Sequence, residues 1–112
     1  MKIGTIKEIK NHEYRVGITP DNVKAFVAHG HQVYVETKAG EGAGFSDSEY
    51  KDAGAIVLNT PEEVCDAVEM VIKVKEPLAS EYHLFRKDHI LYTYLHLAAD
   101  EALARHLMDL GL

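Results

Sequence analysis

Three side chains could share one piece of chemistry: Arg15, Lys75 and His96. A guanidinium offers a planar fork that fits a carboxylate bidentately, an ammonium offers a point charge, and an imidazole carries a proton near neutral pH. Together they suit a small anionic substrate. Each also has a plainer reading. Arg15 lies in a charged loop with Glu8 and Glu13, where a surface ion pair is the ordinary outcome. Lys75 follows Lys73 and precedes Glu76, and lysines leaving a strand are usually solvated. His96 could be satisfied by a backbone carbonyl. It is one of 7 histidines, and the others (His12, His29, His31, His83, His89 and His106) fall in loops, at element ends or on helix faces. Residue type alone therefore does not single out the trio; position has to.

The elements that would position them alternate regularly. Lys2–Ile6 reads as a first strand, followed by a long charged loop from Lys7 to Gly17. Thr19-Pro20-Asp21-Asn22 starts a helix, with Thr19 as N-cap and Pro20 in the first turn; Val23, Phe26 and Val27 mark its inner face and Gly30 closes it. His31–Glu36 is a second strand. Ser46 and Glu49 form a capping-box pattern for a helix ended by Gly54, and Ala55–Leu58 is a third strand. Thr60-Pro61-Glu62-Glu63 repeats the helix start, with Val64, Ala67 and Val68 facing inward. Glu69–Val74 is a fourth strand, stopped by Pro77, and Glu81–Lys87 a short helix. Ile90 to Leu95 is an uninterrupted apolar run, read as a fifth strand buried on both faces and ending at His96. Such alternation predicts an α/β fold: a three-layer, mostly parallel open sheet with helices on both faces. All carboxyl ends of parallel strands point to one edge, and ligands of open α/β sheets bind in the crevice outside it. The edge collects the loop from Lys7 through Arg15, then Lys75, then His96.

Other classes are disfavoured. A net charge of -6 gives no electrostatic support for nonspecific binding to nucleic acid or anionic membranes. No apolar run approaches the ~18 residues of a membrane span. Cys65 is the lone cysteine, and neither H-E-x-x-H nor an acidic calcium loop occurs, so no metal is implied. Gly40, Gly42 and Gly44 fail the G-x-G-x-x-G spacing of a dinucleotide fingerprint and read as a turn before a helix. No G-x-S-x-G elbow is present, and Tyr82, Tyr92 and Tyr94 read as core or site lining. Met1 leads straight into a strand without a signal-peptide pattern, so a cytoplasmic protein is expected. Leu103, Leu107 and Leu110 follow a helical period closed by Gly111, leaving Leu112 where a next strand would start. The expectation is a truncated sheet, a segment of a longer protein.

Three separated runs carry a family resemblance. Lys7-Glu8-Ile9-Lys10-Asn11-His12-Glu13-Tyr14-Arg15-Val16-Gly17-Ile18-Thr19-Pro20, Lys73-Val74-Lys75-Glu76-Pro77 and Tyr94-Leu95-His96-Leu97-Ala98 resemble the amino-terminal part of the alanine dehydrogenase and pyridine nucleotide transhydrogenase family. The second and third runs favour the dehydrogenase branch. The resemblance implies a flavodoxin-like or Rossmann-like segment, residues 1–112, of a substrate domain. It also implies reversible oxidative deamination of L-alanine to pyruvate and ammonia. Arg15 and Lys75 would then bind the substrate and His96 would be the acid/base group. NAD would be held by a nucleotide domain absent from this chain, which alone should not turn over, and the full-length protein would be a homo-oligomer. The alternatives are a transhydrogenase alpha-subunit domain, a more distant likeness to saccharopine dehydrogenase, and a non-catalytic α/β module binding a small carboxylate or a partner.

Overall fold

A computed structural model describes residues 1–9, 15–75, 79–86 and 89–93. Among them, strands β1 (Lys2–Thr5), β2 (Gln32–Glu36), β3 (Ile56–Leu58), β4 (Met70–Lys73) and β5 (Ile90–Thr93) form one sheet in the order β3-β2-β1-β4-β5. Every pairing is parallel. The α/β sheet predicted from the alternation is therefore the fold observed.

The helices begin where their caps dictate. In α1 (Pro20–Ala28) the Thr19 hydroxyl accepts from the Asn22 amide at 3.2 Å, and the Asn22 side chain accepts from the Thr19 amide at 3.0 Å. Ser46 and Glu49 make the same reciprocal box for α2 (Asp47–Ala53), which stops at Gly54 with φ of 111°. Thr60 caps α3 (Pro61–Ala67) through the Glu63 amide at 3.1 Å. Each cap satisfies amides that have no partner inside the helix.

Strand order decides which face each helix covers. From β1 through β2 to β3 the chain moves one way across the sheet; on returning to β4 it crosses to the far side of β1. Connections of constant hand then put α1 and α2 on one face and α3 on the other. The core divides accordingly. Ile3, Val33, Val35 and Ile72 pack with Val23 of α1 and Tyr50 and Ala53 of α2. On the opposite face Val71 joins Val64 and Cys65 of α3, Val68, Leu84 and Phe85. Gly4 lets α3 lie directly on β1, because a Cβ there would stand 2.8 Å from methyls of both Val64 and Val68.

Two expectations need correction. The segment read as a helix over 81–87 is a short 3-10 helix, Ala79–Leu84. The strand read as buried on both faces stands last in the sheet of described residues and has one side open there: Ile90 is 47% and Tyr92 55% exposed, while Leu91 packs against the α3 face. The run is apolar in both phases of the strand period, so its sequence does not distinguish a central strand from a border one. Tyr94, His96 and the closing helical pattern lie outside the described residues.

Buried His89 fixes the approach to β5. Its Nδ1 accepts from the Arg86 amide at 2.8 Å, which assigns the proton to Nε2, the donor to the Cys65 carbonyl at 2.8 Å. Replacing it strands a buried acceptor and an amide donor. His89→Ala is expected to lower unfolding free energy by about 2–4 kcal/mol, read as a drop in the urea midpoint; an unchanged midpoint would show the ring to be dispensable.

Candidate functional site

Sequential connections leave β1 toward β2 on one side, while β4 stands on the other, so the β1/β4 boundary is the switch point of the sheet. In open α/β sheets a crevice opens outside the carboxyl ends of strands at that place. Here the backbone pairing of β1 with β4 covers Ile3↔Met70 and Gly4↔Val71. Beyond it side chains take over. The Thr5 hydroxyl donates to the Ile72 carbonyl at 2.7 Å. Glu8 reaches across to the end of β4, its Oε2 accepting from the Val74 amide at 3.1 Å and its Oε1 from the Lys75 amide at 3.3 Å. The Lys73 Nζ donates to the same Oε1 at 3.2 Å, and to Glu81 Oε2 at 3.4 Å.

Arg15 is brought to this boundary by the segment that follows it. Gly17 lies against β4 so closely that a Cβ would fall 2.3 Å from the Ile72 carbonyl oxygen and 2.8 Å from the Thr5 hydroxyl. Val16 and Ile18 are buried on either side, and the Ile18 carbonyl accepts from the Tyr50 hydroxyl at 2.7 Å. Burial pushes the Tyr50 phenol well above its ordinary value, which keeps it a neutral donor. Exposed Arg15 lines a cavity of about 270 Å³ with Lys7, Glu8, Lys38 and Glu41. It also borders a smaller, mostly apolar cavity of about 230 Å³ that Val74 lines too, one residue before Lys75. The segments carrying Arg15 and Lys75 thus meet at the switch point, as the parallel-sheet argument requires. Half-buried Lys75 leaves the end of β4 with its amide fixed by Glu8. His96 lies outside the described residues. The register Lys73↔Thr93 brings the exit of β5 level with that of β4.

The cavity rim is cationic although the chain is acidic. Lys7, Arg15 and Lys38 face Glu8 and Glu41, and Glu8 already shares Lys73. Glu36 at the end of β2 anchors Lys7 by accepting from its amide at 2.8 Å; burial raises the Glu36 carboxyl, and that hydrogen bond opposes the shift. Lys38 has φ of 67°, a left-handed conformation unusual for a side chain of this size. Asp47 holds the turn, accepting from the Thr37 hydroxyl and, at 2.9 Å, from the Lys38 amide. The Thr37 bond is the main reason the Asp47 carboxyl lies below its ordinary value. Gly40–Gly44 forms a 3-10 turn over Glu41–Ala43 and not the start of an α-helix, so it offers no dinucleotide cradle. Cys65 is buried in the α3 face of the core, and burial pushes its thiol up to about 12, which disfavours the thiolate. Among the described residues, no helix is long and apolar enough to cross a membrane, and no group of three or more His, Cys, Asp or Glu is placed to hold a metal.

Glu8, Lys73 and Glu81 were not among the sequence candidates. Lys73 looked like a solvated lysine, yet its side chain is 1% exposed. The signal was a charge inside the otherwise apolar Met70–Val74 run of a strand covered on both faces. Such a charge requires a buried partner.

Fold and crevice define a doubly wound parallel α/β domain with a cation-rimmed opening at its switch point. The chain belongs to the family described as alanine dehydrogenase/PNT, N-terminal domain, whose family model matches residues 4–112. It is 56% identical over 109 residues to an alanine dehydrogenase of Methanococcus maripaludis and 54% identical over 111 residues to that of Bacillus subtilis. These alignments take in 97% and 99% of the chain but 29% of each relative, so the chain spans less than a third of their length. Among solved structures, an L-alanine dehydrogenase superposes with a TM-score of 0.92 at 54% identity, over 100% of this chain and 31% of its own. A transhydrogenase from Sinorhizobium meliloti superposes with the same TM-score, 0.92, at 27% identity, over 100% and 32%.

Two substitutions test the scaffold. Gly17→Ala forces a methyl into the Ile72 carbonyl and is expected to cost about 2 kcal/mol or more in unfolding free energy; a variant as stable as the parent would mean the segment moves freely. Asp47, whose folded carboxyl is depressed, contributes stability above its ordinary value of 3.8 that is lost as pH falls through the lowered folded value. In Asp47→Asn, urea midpoints should be lower at pH 7 and should fall less steeply with acid below pH 3.8; an unaltered acid profile would count against the Thr37–Asp47 clamp.

Proposed function

We propose that this chain is the substrate-binding part of an NAD-dependent alanine dehydrogenase, converting L-alanine, NAD and water to pyruvate, ammonia and NADH. The observation that carries the reading is the meeting of the Arg15 and Lys75 segments at the switch point of a chain over 50% identical to alanine dehydrogenases. The transhydrogenase relative has the same fold at 27% identity, so fold does not separate the two readings; the higher identity favours the dehydrogenase.

In this reading Arg15 binds the substrate carboxylate through its fork, and Lys75 stands by the carbonyl side of pyruvate, stabilising the oxygen as charge develops there. Oxidation at Cα leaves an iminium, water adds to it, and the carbinolamine sheds ammonia. Each of the last two steps moves a proton, a task this reading gives to His96, three residues after the end of β5 in the sequence. NAD supplies the hydride acceptor when bound; among the described residues no glycine-rich turn opens an α-helix as its cradle would, and in this reading another domain of a longer cytoplasmic, homo-oligomeric protein holds it.

The test is steady-state kinetics on the full-length protein carrying this chain, with L-alanine and NAD and in reverse with pyruvate, ammonia and NADH. Arg15→Ala is expected to raise the pyruvate KM by about tenfold or more, and His96→Ala to lower kcat by roughly 10²–10⁴. Residues 1–112 alone should give no turnover. No alanine-dependent NADH formation by the full-length protein, with the fold intact, would reject the reading.

A further inference from the structure

Glu8 has no role in the reaction as described, yet it touches both halves of the crevice. It lines the cavity of Arg15 and, through a backbone amide, holds the residue bearing the second substrate cation. We propose that Glu8 is a positioning residue: paired with Lys73, it fixes the backbone from which Lys75 departs and so sets where the lysine ammonium meets a substrate anchored on Arg15. This rests on the reading of Arg15 and Lys75 as substrate contacts.

Three observations carry it. First, the strand ladder between β1 and β4 ends at Gly4↔Val71, so Val74 and Lys75 lie beyond it. One carboxylate receives their two successive amides, at 3.1 and 3.3 Å, and so replaces the missing strand contact. Second, the Glu8 side chain is 2% exposed and the Lys73 side chain 1%. A buried ion pair is a poor source of net stability compared with apolar packing of similar volume, because both charges give up hydration. What apolar packing cannot do is accept from two amides at the mouth of a crevice. Third, both Glu8 oxygens are occupied by donors: Oε1 by Lys73 Nζ and the Lys75 amide, Oε2 by the Val74 amide. A carboxylate so engaged is poorly placed to take a proton from substrate, which separates positioning from acid/base work. Lys73 is held on its other side by Glu81 of the 3-10 helix, so the ammonium is buried and matched beside the crevice.

The experiment compares Glu8→Gln and the triple variant Glu8→Gln/Lys73→Met/Glu81→Gln in the full-length protein, reading pyruvate KM, kcat, the pH profile of kcat and the urea midpoint. Glu8→Gln keeps one acceptor oxygen but turns an amide group toward a backbone N–H and leaves Lys73 paired with Glu81. The pyruvate KM should rise about tenfold or more, as expected for a displaced binding group, with kcat changed less than about threefold. The triple variant removes the other two charges of the buried cluster with it, so its urea midpoint should recover while the pyruvate KM stays raised. Recovery of both together would overturn the proposal, making Glu8 a charge partner and nothing more. So would a single variant that loses stability without a change in KM, or one whose kcat loses its acid limb, which would make Glu8 a proton carrier. Arg15→Ala and Lys75→Ala are measured alongside: if neither moves the pyruvate KM, the underlying substrate reading fails; if both do and the Glu8 variants do not, the positioning proposal fails alone.

Discussion

A single buried carboxylate closes the gap where β1 and β4 part company. Up to Gly4 and Val71 the two strands hold each other by backbone hydrogen bonds. Past that point Glu8 joins the loop after one strand to the loop after the other. Water is shut out from this contact, so its hydrogen bonds are stronger than they would be at the surface and more costly to leave unmade. Lys73 and Glu81 make the burial tolerable by matching the charge. An apolar side chain could fill the volume, but it would leave consecutive amides at the end of β4 without this acceptor.

The remaining scaffold serves the same boundary from other directions. Gly17 permits the Arg15 segment to lie on β4, and Tyr50 ties the following turn to α2. Glu36 and Asp47 orient the loops after β1 and β2 by accepting from the Lys7 and Lys38 amides. Glu36 and Asp47 are thus engaged with backbone, while Lys7, Arg15 and Lys38 line the cavity. That division explains how a chain of net charge -6 presents a cationic rim at one edge.

Most of the fold was legible because its signals are local. Thr19-Pro20, Ser46 with Glu49, and Thr60-Pro61 announce helix starts through hydrogen bonds that span three residues, and all were found where the caps predict. Parallel alternation then placed Arg15 and Lys75 at one edge without any knowledge of contacts. What stayed illegible depends on partners distant in the chain. Glu8 and Lys73 are separated by 65 positions, and neither identity nor spacing reveals that they meet. The exposure of Ile90 and Tyr92 among the described residues was equally hidden, since a strand apolar on both sides carries no mark of which side its neighbours cover.

The tight seat of Gly17 has a thermodynamic corollary. An arginine hung from main chain already pressed against a neighbouring strand has few backbone states left to surrender. Capturing an anion there would freeze chiefly the torsions of the guanidinium arm, each a small entropic loss beside that of ordering a loop. Recognition at such a place resembles a hook on a wall more than a hand that closes.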